Sequence, residues 1–545
     1  MKRLFIVTIL FSLSLLGVAQ NPNCYRVYLS NKNNSPFSIN TPSAFLSPRA
    51  IAKRTTYNIP ITTQDLPVNE SYINQIKAFD TNIQVLSTSK WLNTVVIYCP
   101  NPAHIPGIQN LGCVQHIVPV ANLPFTKEGG FVIPQTVAND KFGMNGTKDF
   151  SYGDSYDQIK VHRGDSLHNR GFRGEGMLIA VLDAGWNGFD TISHFQPLYA
   201  NGQIWGTRDM IPGVNNVYTG HGHGTSVTSI IASNIEGQLV GTAPMANYFF
   251  IRSENPWSEQ PIEEDFWAAA AELADSLGAD VINSSLGYTT FEDFPQGDMT
   301  PQQNDGISSV ASQAATIAGQ KGIVVVISAG NERGSDWGFI GRPADAFDVI
   351  SVGAMDKDSV IAPFSSYGPS ADMRVKPDVT SVGWNTWYSS TDGSIYQGNG
   401  TSFSGPVIAG LSACLWQSLP HLNAIEIMEV IRQHGHIYNN PDNDFGYGIP
   451  DYFQAFLDNI SSVSEFSTPM DVLVFPNPTE DQITFQSMNE EILSIQIVDL
   501  SGKILYHNSD KQFKNTISVS FLSSGIYFAH LTTATSKGTL KFVKR

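Results

Sequence analysis

Between residues 156 and 460, short apolar runs alternate with longer helical patterns, and that alternation limits the fold more than any other feature of the chain. The runs are 177–182, 248–251, 280–283, 323–327 and 348–352. They are too short for ordinary helices and largely apolar or β-branched, as strands buried on both faces must be. Residues 227–235, 262–277, 307–318 and 423–433 carry helical spacing instead. Pro261 opens the second of these and Gly278 closes it, at the positions where those residues are best tolerated. Strand and helix in this alternation predict an α/β domain, a parallel sheet with helices on both faces. Active sites of such sheets form beyond the carboxyl ends of the strands. Asp183, Ser285 and Asn331 all stand just past a predicted strand.

The flanking sequence differs in kind. Residues 1–19 have Lys2 and Arg3 ahead of an apolar run and end in Gly17-Val18-Ala19, the pattern of a secretion signal. The run falls short of the ~20 apolar residues of a spanning helix, and no later segment is long and apolar enough to span. Residues 20–155 mix predicted strands (24–29, 91–98) with helices (47–57, carrying Arg49, Lys53 and Arg54, and 72–79), which suits a small α+β region ending in a polar, Gly-rich linker from 126 to 155. After a second linker at 461–471, residues 472–545 break into short strands and turns, among them 499–503 and 523–525, and predict a β-sandwich. The net charge of −17 argues against nucleic-acid binding. The four cysteines are too few for a disulfide framework. An oxidising compartment would permit Cys99 and Cys113 to pair, while Cys414, in an apolar helical run, suits a buried free thiol.

Chemistry concentrates in four polar stretches of the α/β domain. Gly400-Thr401-Ser402-Phe403-Ser404-Gly405-Pro406 runs from a polar loop into an apolar helix, with Ser402 at its start and Pro406 in its first turn. A helix start offers unpaired N–H groups and partial positive charge, suited to an oxygen that must become negative. Taken alone, it reads equally as a Thr-Ser helix cap. His223 lies at another helix start in His221-Gly222-His223-Gly224-Thr225. The His-x-His spacing also permits a metal, but no third ligand stands out and no metal site is assigned. Asp183 and Asn331 each have an ordinary turn role as alternative. A nucleophilic serine, however, needs a base, an orienting carboxylate and oxyanion donors. The chain supplies one of each in the order Asp, His, Asn, Ser.

These stretches resemble the motifs of the subtilisin-like serine proteases, the subtilase family. Val181-Leu182-Asp183-Ala184-Gly185 resembles the aspartate motif and His223-Gly224-Thr225-Ser226-Val227 the histidine motif. Ser285-Leu286-Gly287 resembles the substrate-binding strand, Ala329-Gly330-Asn331 the oxyanion motif, and Gly400 to Pro406 the serine motif. The resemblance implies a secreted serine endopeptidase with Asp183, His223 and Ser402 catalytic, Asn331 at the oxyanion, and no cofactor required for chemistry. Structural calcium is common in the family, yet no Asp-rich loop fixes a site here. Ala184 departs from the Ser or Thr often found there. Tyr288 replaces a small residue and, with the loop 289–305, is expected to reshape the cleft. Residues 20–155 sit where subtilases carry an inhibitory, fold-assisting propeptide. Val474-Phe475-Pro476-Asn477-Pro478-Thr479, Asp499-Leu500-Ser501-Gly502-Lys503 and Ser524-Gly525-Ile526-Tyr527 resemble the type IX secretion sorting domain of Bacteroidota. The expected partners are protein or peptide substrates, the chain's own propeptide region and the type IX machinery. The expected location is secreted or on the cell surface, by way of periplasm and outer membrane. A binding protein on an inactive protease fold and an esterase with the same nucleophile are the alternatives.

Overall fold

A computed structural model describes residues 22–123, 150–213, 215–460, 472–487, 491–499, 503–509, 516–533 and 537–545. The predicted signal, most of the linker at 126–155, the linker at 461–471 and the tip of the turn at 499–503 lie outside the described residues. The chain divides into two compact units, Met1–Phe456 and Leu457–Arg545.

The first unit begins with β1 (Cys24–Leu29), α1 (Pro48–Thr56), α2 (Glu70–Lys77), β2 (Gln84–Ser89), β3 (Thr94–Tyr98), α3 (Ile105–Gln109) and β4 (Val114–Ala121). The strands form one sheet in the order β2-β3-β1-β4, with β1 antiparallel to both neighbours. Alternation along β1 sends Tyr25, Val27 and Leu29 to one face, where Ile76 of α2 and Ile108 of α3 cover them. The permitted Cys99–Cys113 pairing does not occur, and all four cysteines are free and buried. Because β1 lies between β3 and β4 and runs against both, Cys99 after β3 and Cys113 before β4 fall at opposite ends of the sheet. Two strand spacings alone, ~10 Å, exceed the reach of a disulfide.

The same unit continues with α4 (Tyr156–Lys160), α5 (Gly164–His168), β5 (Leu178–Asp183), α6 (Gln196–Ala200), β6 (Ile204–Asp209), α7 (His223–Ala232), β7 (Asn234–Ile235), β8 (Leu239–Val240), β9 (Asn247–Arg252), α8 (Ile262–Leu277), β10 (Val281–Ser284), α9 (Val310–Gln320), β11 (Val324–Ser328), β12 (Ile350–Met355), β13 (Val379–Val382), β14 (Thr386–Ser389), β15 (Ile395–Gly398), α10 (Thr401–Ser418), α11 (Ala424–Gln433) and α12 (Tyr452–Ile460). Seven strands make a parallel sheet in the order β13-β12-β11-β10-β5-β9-β6. Alanines of α8 and α9 pack against Leu178, Ala180, Leu182, Ile282, Val325 and Ile327 on one face. On the other face α7 meets β5, and α10 lies across β10, β11, β12 and β13. Residues 404–416 of α10 are all buried, which explains an apolar sequence with no polar stripe. The helices-on-both-faces architecture is therefore as expected. Strands β6 and β13 and the β14–β15 hairpin were not legible, because β6 is a half-buried edge (Ile-Trp-Gly-Thr-Arg-Asp) and the others span four residues each.

The second face of the N-terminal sheet, with Cys24, Leu86, Val96 and Val120, packs on Ile262 and Phe266 of α8. Charge surrounds this contact. Arg26 forks onto Asp265 through two bonds of 2.6 Å. Glu272 accepts from the Lys90 and Trp91 backbone at 2.8 and 3.0 Å and from the Ser89 hydroxyl. Arg49, Lys53 and Arg54 of α1 meet the carboxyl end of α8, where Lys53 reaches Ala279 O, Arg49 bonds Gly278 O and Asp280, and Arg54 lies 2.7 Å from Asp275. Cations there complement the helix dipole and its unpaired carbonyls. Arg54 also bonds Asp65 at 3.2 Å, and both side chains are almost wholly buried. Replacing Arg54 with Ala should leave buried carboxylates short of a partner and cost about 3 kcal/mol. The check is the urea midpoint of the full chain, and an unchanged midpoint would contradict it.

The second unit contains β16 (Val472–Phe475), β17 (Gln482–Ser487), β18 (Ser494–Val498), β19 (Ile504–Asn508), β20 (Thr516–Ser518), β21 (Gly525–Thr532) and β22 (Lys537–Lys544). Two antiparallel sheets, β16-β17-β20 and β19-β18-β21-β22, share a core of Ile483, Phe485, Ile495, Ile497, Ala529, Leu531 and Phe542. That arrangement is consistent with a sandwich.

Candidate active site

Asp183 is the last residue of β5 and is fully buried. The neighbouring strand holds it in register, with Asp183 opposite Arg252 of β9 and the Ser253 N–H donating to Asp183 O at 3.1 Å. One carboxylate oxygen accepts the Ala184 N–H at 2.7 Å. The start of α7 is drawn against this loop by the Gly224 N–H, which donates to Gly185 O at 2.9 Å. Only glycine permits so close an approach, since a Cβ on Gly185 would stand 2.7 Å from His221 O, at a φ of +145°. His223 is thereby placed with Nδ1 at 2.9 and 3.0 Å from the two oxygens of Asp183. Nδ1–H donates, which leaves Nε2 as the lone-pair nitrogen. Burial pushes His223 down, but the Asp183 carboxylate, helped by Glu254, overrides that and raises its pKa to about 8. His221 stays outside the pair, its Nδ1 accepting the His223 backbone N–H at 3.2 Å.

Ser402 is the second residue of α10. The helix begins at Thr401 with Gly400 as its cap residue at φ +153°, so the Thr-Ser pair does not cap it. Pro406, expected in the first turn, lies inside the helix. Asn331, beyond β11, is bound to this start, for its Oδ1 accepts the Thr401 N–H at 2.9 Å and the Thr401 hydroxyl at 3.1 Å. The Gly330 N–H closes the ring by donating to Thr401 Oγ1 at 3.1 Å. Among the described residues the Asn331 Nδ2 donors have no hydrogen-bond acceptor, while Oδ1 is held by Thr401. Thr401 was not singled out from sequence. The signal was its place between Gly400 and Ser402, where a hydroxyl so close to the nucleophile has little reason to be solvated.

Two pairings thus form, Asp183 with His223 between the end of β5 and the start of α7, and Asn331 beyond β11 with Thr401 at the start of α10, next to Ser402. One contact is not made. The Ser402 hydroxyl donates to Ser285 O at 3.2 Å rather than to His223. Ser285, Leu286 and Gly287 follow β10 directly, and among the described residues Leu286 and Gly287 make no backbone hydrogen bond. Tyr288, expected to help reshape the cleft, is a buried residue. It is 1% exposed, near Phe291, with its hydroxyl 3.4 Å from Glu263 O and its backbone paired with Arg342. Among the described residues no three His, Cys, Asp or Glu side chains converge as metal ligands.

Residues 174–448 match the subtilase family of peptidases, S8. The chain belongs to the subtilase family. Residues 24–129 match the peptidase S8 propeptide domain of Bacteroidota, and 473–545 match the secretion system C-terminal sorting domain. A sorting domain of this kind directs secretion by the type IX system to the cell surface or the exterior. This subtilase is similar to subtilisin Savinase of Lederbergia lenta, 31% identical over 263 residues that cover 48% of this chain and 84% of that protein. It is similar to the M-protease of Shouchella clausii (strain KSM-K16), also at 31% over 263 residues, covering 48% of this chain and 60% of the relative's length. Among solved structures it is similar to the MycP3 protease of the type VII (ESX-3) secretion system, with TM-score 0.45 and 22% identity over 57% of this chain and 90% of that one. No helix among the described residues is long and apolar enough to cross a membrane.

Proposed function

We propose that this subtilase is a secreted serine endopeptidase that cleaves peptide bonds through an acyl-enzyme, with Ser402 as nucleophile, His223 as base and Asp183 as its orienting carboxylate. The observation that carries this reading is the buried Asp183 carboxylate on His223 Nδ1, which fixes the tautomer with Nε2 free to accept a proton. The mechanism requires the Ser402 hydroxyl to leave Ser285 O for that nitrogen. As Oγ bonds the substrate carbonyl carbon, its proton passes to Nε2, and Asp183 stabilises the resulting cation. The oxyanion falls between the Ser402 backbone N–H, unpaired at the helix start, and Asn331 Nδ2. His223 then protonates the leaving amine. Water, losing a proton to His223, hydrolyses the ester and frees Ser402.

The unpaired backbone of Leu286 and Gly287 suits a substrate laid alongside as an added strand. The N-terminal domain acts as the chain's own propeptide. Just past its last strand, the Asn122 N–H donates to Gln260 on the loop between β9 and α8 at 2.8 Å. The second unit is the part the type IX machinery would take up. Replacing Asn331 with Leu should lower kcat on a peptide anilide by about 10²–10³, with KM within a few-fold. A loss confined to KM would remove Asn331 from the oxyanion role. Absence of any peptide hydrolysis by the processed, unsubstituted protein would overturn the function.

A further inference from the structure

We propose that Ser285 is a positioning residue for the nucleophile: its hydroxyl replaces the helical N–H that Pro406 lacks and fastens the Ser402 backbone to β10. This rests on Ser402 being the nucleophile. In an α-helix the carbonyl of one residue accepts the N–H four residues on. For Ser402 that residue is Pro406, inside α10, which has no N–H and whose ring crowds the carbonyl four residues back. Ser402 O instead accepts the Ser285 hydroxyl at 3.0 Å. In return the Ser402 hydroxyl donates to Ser285 O at 3.2 Å, so the two serines are tied twice across 117 residues of sequence.

Asn283 supports the first bond. Its Nδ2 donates to Ser285 Oγ at 3.3 Å, which occupies an acceptor position and leaves the single hydroxyl proton for Ser402 O. Asn283 is fully buried and its Oδ1 has no partner, a cost that the chain bears while keeping Nδ2 on Ser285. Ser328, at the end of β11, adds a second tether one residue earlier, donating to Thr401 O at 2.9 Å, although Gly405, four residues on from Thr401, keeps its N–H. Gly405 leaves room for the Ser328 contact, since a Cβ there would stand 3.1 Å from Ser328 Oγ. The first turn of α10 is therefore hung from the sheet by side-chain hydroxyls. When the Ser402 side chain leaves Ser285 O for His223, the backbone bond to Ser285 stays in place. Ser285 also opens the segment proposed to receive substrate, so one residue sets both substrate strand and nucleophile.

The test is a mutant cycle on the processed enzyme, read by the rate of phosphonylation by a fluorophosphonate, in which Ser402 Oγ displaces fluoride from phosphorus, and by kcat and KM on a peptide anilide. Replacing Ser285 with Ala should slow phosphonylation and kcat about tenfold to a hundredfold with KM changed little. Ser285→Thr, which keeps the hydroxyl, should restore the rate, and Ser285→Val, of the same shape, should not. Pro406→Ala supplies the missing N–H, and in that background Ser285→Ala should cost less than about threefold. An equal loss in both backgrounds, a loss confined to KM, or Val behaving as Thr would overturn the inference. Failure of the unsubstituted enzyme to take the label would instead remove Ser402 as nucleophile, and this inference with it.

Discussion

Ser402→Ala is expected to reduce hydrolysis of casein and of peptide substrates by about 10⁶-fold and to abolish reaction with a fluorophosphonate. The size follows from the absence of a substitute. Ser404 is fully buried and its hydroxyl donates to Thr401 O at 3.0 Å. The Thr401 hydroxyl is taken by Asn331 and Gly330, and that of Ser285 by Ser402 O. None can turn toward His223 without breaking the geometry that forms the oxyanion site. A residual acceleration of about 10³–10⁴ over water should survive, because Asn331, the helix start and the substrate strand remain. Hydrolysis retained near the level of the unsubstituted enzyme would remove Ser402 from the mechanism.

Asp183→Asn should cost about 10⁴-fold in kcat and shift the pH dependence. The structure says which way the new amide would turn. The Ala184 N–H donates to Oδ1 at 2.7 Å, so the amide oxygen takes that position, 2.9 Å from His223 Nδ1, and the NH2 takes the Oδ2 position, 3.0 Å from the same nitrogen. The NH2 then offers Nδ1 a donor where the carboxylate offered only acceptors, which favours the proton on Nε2, the nitrogen that must be free to take one. In the unsubstituted enzyme His223 must be neutral to act as base, and its pKa is raised to about 8. Activity should therefore rise with pH through about 8. Without the Asp183 charge, burial dominates and the acid limb should move down. Stability runs the other way. The folded-state pKa is raised from the ordinary 6.5, so the pair's stabilising effect is fully present below pH 6.5 and is lost as the pH rises through about 8. The check is kcat/KM against pH for both proteins, and an unmoved acid limb would contradict the pairing.

The sheet was legible because its central strands are apolar on both faces, and α8 because Pro261 and Gly278 bracket it at the boundaries observed. Asp183, His223 and Asn331 could be placed because each follows or opens such an element. What could not be read depends on contacts distant in sequence. Nothing local shows that Arg54 and Lys53 face the end of α8, or that Tyr288 turns under the sheet. The place of Pro406 was misjudged because helix α10 starts at Thr401, whose N–H is satisfied by Asn331, 70 residues earlier. The same long-range logic hides the positioning role proposed for Ser285, which the sequence offers only as the first residue of a substrate-binding strand.

The most direct test of the proposed site is the location of a single covalent adduct. The processed, unsubstituted protein, treated with a fluorophosphonate and mapped by mass spectrometry, should carry one phosphonyl group, on Ser402. An adduct on Ser285, Ser404 or another residue, or no adduct in a folded and processed sample, would contradict it.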